Sequence, residues 1–298
     1  MNNKIETCTL CDSAEYATIY NGKIRDGSFG KVTKQEYEVV RCKKCGLVRL
    51  LHIPFNKDFY ETDEYRDSYN DTHNVSDYID MHDHEQANRL TNIGMESIRN
   101  KVVLDYGCGG GGFLDLALGV AKKTIGIEPF EGYHSSILKR GHVVFKSADD
   151  ALKKYKNEID LVVSTGVIEH IDNPSKYLEN AYNLLRHNGE IYLDTDNLNE
   201  ISMQFQNDKF KEFFFRTAHL WYFDSTTLIS LFKKMNFKNI DLKFDHHYDL
   251  SNFVIWQKDS LPSGIGKIKT FDKELNEAWI SFCNRNGYSD LICVKARK

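Results

Sequence analysis

Residues Val102 to Leu114 read Val-Val-Leu-Asp-Tyr-Gly-Cys-Gly-Gly-Gly-Gly-Phe-Leu: an apolar strand, a glycine turn and the opening of a helix. Gly107, Gly109 and Gly112 satisfy G-x-G-x-x-G, a spacing that lets the backbone approach an adenosine ligand and offers helix N-terminal N–H groups to an anion. Asp105 closes the strand before the turn, and Glu128 closes the next apolar run, Thr124 to Glu128. A carboxylate at that second strand end can accept both ribose hydroxyls, which suits nicotinamide dinucleotides and other adenosine cofactors alike. The same glycines also suit a tight strand-to-helix turn with no ligand.

Asp105 bears on which adenosine ligand is meant. S-adenosylmethionine carries an ammonium and a sulfonium, so an acid beside the loop attracts it where a pyrophosphate would be repelled. Asp-Tyr-Gly-Cys-Gly at 105 to 109 resembles the first motif of class I S-adenosylmethionine-dependent methyltransferases. The resemblance implies a cofactor set of Asp105, Gly107, Gly109, Gly112 and Glu128. Asp149, or its neighbour Asp150, would meet the adenine amine after the third strand, and Ser164 stands at the end of the fourth.

Two histidines follow later strands. Glu169-His170, with Pro174 after it, is similar to the post-strand motif of many small-molecule methyltransferases, where His170 would orient the cofactor carboxylate or line the substrate pocket. A surface histidine before a helix start has the same spacing. His219, in Ala218-His219-Leu220-Trp221-Tyr222-Phe223, lies in a long excursion after the fifth strand. It is the first candidate for general base, with His170 second, because unperturbed imidazole is neutral at cellular pH. A histidine hydrogen-bonded beneath a helix cap is the alternative. His82 and His84 are two apart and cannot form the i, i+4 metal pair of a helix; with His246 and His247 they are expected on the solvated surface.

Cys8-x-x-Cys11 and Cys42-x-x-Cys45 are two knuckles whose thiolates can converge on one tetrahedral ion, and basic Arg41, Lys43 and Lys44 offset their charge. Four cysteines leave no open position, so a Zn2+ there is expected to be structural; two redox pairs or unligated thiols are the other reading. Cys108, Cys283 and Cys293 are expected to be buried thiols, Cys108 close to the cofactor.

With 298 residues, 41% hydrophobic and 28% charged, the chain can bury a large core. No apolar run approaches a membrane span, and Met1 to Glu6 lack the hydrophobic stretch of a signal peptide, so a cytoplasmic location and no membrane partner are expected. A net charge of -4 gives no electrostatic reason for nucleic acid. Residues 56 to 100 carry 11 acids against 4 Lys or Arg, which would repel a phosphate backbone.

Three segments emerge. Residues 1–52 form the zinc module, with strands at Tyr37 to Arg41 and Leu47 to Leu51. Residues 53–100 are a polar connector containing Tyr60, Tyr65 and Tyr69, followed by a helix over 77–99. From 101 to 298 strand and helix alternate, predicting strands at 101–105, 123–128, 142–146, 159–164, 189–195 and 237–244 and a last one at 290–296. Helices are predicted near 111–120, 131–140, 149–155, 173–187 and 224–236, and an insertion over 246–288 holds another at 271–285. The order is similar to the seven-stranded α/β class I methyltransferase sheet, Rossmann-like, whose final strand inserts antiparallel.

The cysteine knuckles, glycine loop and His-aromatic segment together resemble bacterial deoxysugar C-methyltransferases and related capsule or lipopolysaccharide methyltransferases. In the C-methylating enzymes a Glu-His dyad stands where this chain has Ala218-His219, so the expected chemistry is methylation of a hydroxyl on a nucleotide-linked sugar or related polysaccharide precursor. A sugar C-methyltransferase, an RNA methyltransferase with a zinc ribbon and a non-catalytic cofactor-binding subunit are the alternatives. Small-molecule substrate and no nucleic acid are the partner expectations.

Overall fold

The computed structural model describes residues 7–28, 30–52, 57–69, 72, 74–205, 207–261 and 266–298, the side chains of Lys57 and Tyr69 excepted. The readings of Met1 to Glu6, of connector residues 53–56 and of the Tyr69 side chain lie outside these.

Three strands come first: β1 (Tyr16–Gly22), β2 (Tyr37–Cys42) and β3 (Val48–Leu50). The polar connector folds as helices rather than loop, α1 (Lys57–Glu61) and α2 (Glu64–Tyr69). Helices this short are not stable alone, so tertiary contacts hold them and no apolar periodicity announces them. The helix expected over 77–99 is two helices. α3 (Val75–Ile93) starts where the Asn74 side chain accepts from the N–H of Ser76 and Asp77, and it stops at Gly94, whose φ of 85° turns the chain into α4 (Met95–Ile98).

The larger sheet follows the strand pattern read from sequence. Its elements are β4 (Val102–Tyr106), α5 (Gly112–Leu118), β5 (Lys123–Ile127), α6 (His134–Lys139), β6 (Val143–Phe145), α7 (Ala148–Tyr155) and β7 (Ile159–Thr165). Then come α8 (Pro174–Leu184) and β8 (Leu185–Asp196). Helix α8 is shorter than predicted because β8 begins at once, pairing Leu185 with Ile159 before an irregularity carries it past Asn188, at φ 60°, to resume at Glu190 opposite Leu161. The excursion after β8 holds α9 (Asp208–Phe214) and β9 (Trp221–Tyr222). The chain ends with α10 (Ser225–Lys234), β10 (Lys238–Asp245), α11 (Leu250–Asp259), α12 (Lys273–Asn286) and β11 (Leu291–Arg297). The insertion over 246–288 thus carries α11 as well as the expected α12.

Strand order is β10-β11-β8-β7-β4-β5-β6, with β11 antiparallel to both neighbours and the pairs from β8 to β6 parallel. This is the seven-stranded Rossmann-like sheet that the element order implied. Strands β5 and β6 run outward from β4 on one side, and the chain then crosses to β7 on the other. The carboxyl ends of β4 and β7 therefore border a topological switch point, where open α/β sheets bind ligands.

A second sheet, β1-β2-β3-β9, joins the N-terminal residues to the excursion, through Val48 opposite Tyr222 and Arg49 opposite Trp221. Cys8, Leu10, Cys42 and Leu47 pack in one hydrophobic cluster with Leu178, Trp221, Leu228 and strand residues of the large sheet. The segment expected as a separate module at 1–52 consequently shares its core with the rest of the chain. No described helix is long and apolar enough to cross a membrane.

Candidate active site

Strand β4 delivers Asp105 and Tyr106 to the switch point, and the glycine turn follows. Gly107 has φ 93°, and a Cβ on it would lie 2.5 Å from Val167; Gly109 has φ 50°, and a Cβ would lie 2.4 Å from the Tyr78 hydroxyl. Only glycine combines that conformation with that closeness. Gly112 has a different place: it opens α5, buried against Gln86 and Ile79, outside the cleft lining.

Over the turn lies a cleft of about 460 Å3, within the range of small-molecule sites. Its floor is Asp105 to Gly109, Ile127 to Pro129 and Lys146 to Ala148; one wall is Thr165 to Val167, His170 and Ile171; its roof is Tyr60, Tyr65 and Arg66 with Tyr78, His82, Gln86 and Arg89 of α3. Glu128 accepts from the backbone N–H of Gly109 and Phe130, both at 2.9 Å. Arg66, buried, lies 3.6 Å from the Glu128 carboxylate, donates from Nε to the Tyr133 hydroxyl at 2.9 Å, and stacks 3.6 Å over Phe130. Burial raises the pKa of Glu128 against those partners. Burial also raises that of Asp105, to about 7, with Glu128 and Asp194 adding repulsion and Arg89 opposing it.

Two expected cofactor residues face elsewhere. Asp149 is exposed on the first turn of α7, and Ser147 and Ala148 occupy the cleft edge in its place. Ser164 is fully buried with its Oγ 2.6 Å from the Tyr177 hydroxyl, because successive strand residues alternate faces and Thr165 is the one that turns to the cleft.

The histidines exchange rank. His170 lines the cleft, while His219 is buried behind it, their rings edge to face at 4.5 Å. His170 Nδ1 lies 2.9 Å from the Ala218 carbonyl, so that nitrogen carries the hydrogen and Nε2 keeps its lone pair. Burial lowers the His170 pKa to about 4, and burial with Arg216 and His170 lowers that of His219 as well. His219 Nδ1 is 3.3 Å from the Asp196 carboxylate, which also pairs with Arg216. Burial works against the Asp196 charge, but Arg216 and His219 outweigh it and hold its pKa below the usual range. Glu169, buried, brings a ligand oxygen within 4.8 Å of nitrogens on both histidines.

The surface expectation for the remaining histidines holds for His84 alone. His82 stacks 4.5 Å from Tyr78 at the cleft; His246 is buried 3.1 Å from Asp290; His247, half-buried, has its pKa raised to about 9, chiefly by hydrogen bonding to Asp290. Arg66 and Tyr78 went unsingled in the sequence; Arg66 is one of few cations in an acidic stretch, the one signal it offered. Cys108, Cys283 and Cys293 are buried.

Cys8, Cys11, Cys42 and Cys45 converge, with Sγ pairs Cys8 to Cys45 and Cys11 to Cys42 at 3.5 Å and all four within 4.8 Å. A tetrahedral Zn2+ with bonds of about 2.3 Å separates its sulfurs by about 3.8 Å, so the donor set fits that ion.

A family model described as a methyltransferase domain matches residues 81–242, more than half of the chain, and the chain belongs to that family. It is an S-adenosylmethionine-dependent methyltransferase. The chain resembles the crystal structure of such an enzyme from Archaeoglobus fulgidus, with a TM-score of 0.51 and 18% identity over 78% of this chain and 98% of that one. A phosphoethanolamine N-methyltransferase 2 from Haemonchus contortus, bound to phosphomonomethylethanolamine and S-adenosylhomocysteine, has a TM-score of 0.51 and 16% identity over 84% of this chain and 62% of that one. At those identities the likeness is one of fold. Among curated proteins, a tRNA U34 carboxymethyltransferase from Pseudoalteromonas atlantica is 28% identical over 49% of this chain and 47% of its own length. One from Helicobacter acinonychis is 31% identical over 33% of this chain and 42% of its own. The chain thus spans about half the length of the curated relatives it matches.

If Glu128 receives the ribose, Glu128→Ala leaves two hydroxyls unpaired and weakens S-adenosylmethionine by about 1 to 3 kcal/mol. Titration calorimetry reads this directly, and an unchanged affinity would place the ribose elsewhere.

Proposed function

We propose that this methyltransferase acts on a hydroxyl of a small, sugar-like acceptor. The carrying observation is the roof: α1 to α3 close the cleft, so an acceptor must fit beneath Tyr60 and Tyr65 beside His170. Outside, the roof exposes Asp58, Asp63, Glu64, Asp67, Asp77, Asp80 and Asp83, a surface that disfavours a polyanion at the mouth. The tyrosine hydroxyls and the imidazole are suited to a polyol, and the Tyr60 hydroxyl already lies 3.2 Å from the Ala218 carbonyl that orients His170. S-adenosylmethionine would lie with its ribose at Glu128 and its ammonium at Asp105. The acceptor oxygen then attacks the methyl carbon in line, the C–S bond breaks with its electron pair returning to sulfur, and the hydroxyl proton passes to the His170 Nε2 lone pair or to water. Holding the reactants in register supplies most of the rate.

The tRNA reading has support of its own in the names of the curated relatives. Transfer of a carboxymethyl group, which adds a carboxylate, calls for a free cation in the cleft; Arg66, Arg89 and Lys146 each already face a carboxylate, of Glu128, Glu85 and Glu61 respectively. Incubating the protein with a panel of nucleotide-linked sugars and glycosides and S-adenosylmethionine, or with unmodified tRNA and either S-adenosylmethionine or its S-carboxymethyl counterpart, separates the two. Adenosylhomocysteine is expected with a small hydroxyl compound, and turnover with tRNA alone would replace this proposal with the RNA one. The four-cysteine zinc is part of the same proposal, as a structural ion.

A further inference from the structure

We propose that Glu169, His170 and His219 hold a divalent transition-metal ion at the acceptor end of the cleft. The inference deepens the methyl-transfer reading and rests on it. One carboxylate and two imidazoles offer ligand atoms within 4.8 Å of one another, and two histidines with one carboxylate are a set that zinc and ferrous enzymes use with positions left open for a substrate oxygen.

The partners of these side chains carry the argument. Metal-binding histidines donate their second ring N–H to a carbonyl or carboxylate, which fixes the tautomer and turns the other nitrogen to the ion. His170 does this to the Ala218 carbonyl at 2.9 Å, while His219 Nδ1 lies 3.3 Å from the Asp196 carboxylate, an ion-pair distance without hydrogen-bond alignment. Both Nε2 atoms are thereby left as donors. Glu169 takes a hydrogen bond on Oε2 from the Thr195 hydroxyl at 2.9 Å, leaving Oε1. Two of the three ligands thus have a hydrogen-bonded outer partner, and the third has a carboxylate beside its other ring nitrogen.

Charge points the same way. Glu169 and Asp196 bring two carboxylates into this buried corner, and Arg216 pairs with Asp196. Among the described residues no Lys or Arg forms an ion pair with Glu169, and burial with repulsion from Asp196 favours its neutral form. A bound cation is what would hold it as the carboxylate, since an ionised buried acid needs a counterion. Because His170 lines the cleft, the open positions would admit an acceptor hydroxyl, whose proton the ion would loosen before attack. The proton passes to water as the oxygen–methyl bond forms and the carbon–sulfur bond breaks.

Cobalt(II) titrated into the full chain with zinc retained on the cysteines tests this. Binding of about one Co2+ per chain is expected, with weak visible bands and no sulfur charge-transfer band. Thr195→Val should weaken it about tenfold, and Glu169→Gln and His219→Ala should abolish it. Glu169→Gln is nearly isosteric and keeps an acceptor for Thr195, and retained S-adenosylmethionine affinity shows that each variant is folded. No Co2+ binding, binding with sulfur bands, or binding that survives Glu169→Gln and His219→Ala would overturn the proposal. If no ion binds but a small acceptor is still methylated, only the metal falls; if the ion binds and only tRNA is methylated, the acceptor reading falls.

Discussion

His170→Gln is expected to lower methyl transfer to a small hydroxyl acceptor by about a hundredfold while S-adenosylmethionine still binds. The geometry separates the two effects. His170 stands on the loop after β7, against Tyr60 and Tyr65, and the residues proposed for the ribose and ammonium, Glu128 and Asp105, end β5 and β4. Its orientation comes from Ala218, and His219 packs against its ring from behind. Glutamine keeps an N–H for the Ala218 carbonyl. It takes no proton at neutral pH and is a poor metal ligand, so it fails whether the imidazole lone pair receives the acceptor proton or holds the ion that loosens it. Adenosylhomocysteine release by mass spectrometry, with calorimetry for the cofactor, checks the outcome. A parental rate would remove His170 from the chemistry and leave positioning of the reactants as its source.

The second large effect concerns the four cysteines. Cys42→Ser, or chelation of the zinc, is expected to lower the thermal midpoint of the whole chain by about 10 °C or more in a single transition. Structural zinc contributes about 10 to 16 kcal/mol in small peptides, and a fraction of that moves a domain of this size by tens of degrees at about 2 to 4 °C per kcal/mol. A single transition is expected because the knuckles are not an independent unit. Thr9, between Cys8 and Cys11, exchanges hydrogen bonds with Ser175 at the start of α8 and accepts at its carbonyl from Lys234 of α10. The sheet they anchor ends in β9, where Trp221 donates from its indole to the Ile171 carbonyl at 2.8 Å and the Leu220 N–H donates to the Glu169 carbonyl. Loss of zinc should therefore loosen the His170 loop and reduce turnover along with stability. Scanning calorimetry and elemental analysis decide it. An unchanged transition in chelator, or no stoichiometric zinc in freshly purified protein, would refute the assignment.

The sequence by itself determined the parts that depend on local pattern. Apolar runs such as Val102 to Leu104, Thr124 to Ile127 and Leu161 to Val163 announce buried strands, and the intervening helices carry caps such as Asn173 and Asp224. The seven-strand order and its antiparallel last strand were implied by the resemblance of the element order to class I methyltransferases, because right-handed crossovers alone allow several orders. Asp105, Gly107, Gly109 and Glu128 were legible because a strand end and a glycine turn are local features, and the cysteine knuckles because metal ligation has a spacing. Tertiary structure alone decided the rest. Gly112 was assigned to the cofactor by the glycine motif and Ser164 by its place at a strand end, and it is helix packing and strand alternation that set them outside the cleft lining. The helices of residues 57–69 are too short to persist without the cleft they roof, so Arg66 reaches Glu128 across 62 positions with no periodic signal. Strand β9 is two residues long and exists only because β3 has a free edge to receive it. Most consequentially, Glu169, His170 and His219 meet because two loops, each ordinary in composition, fold against the same strand end, and the side chain that faces the cleft is His170 rather than His219. Contact between residues half a hundred positions apart is set by how elements pack, and no local pattern encodes it.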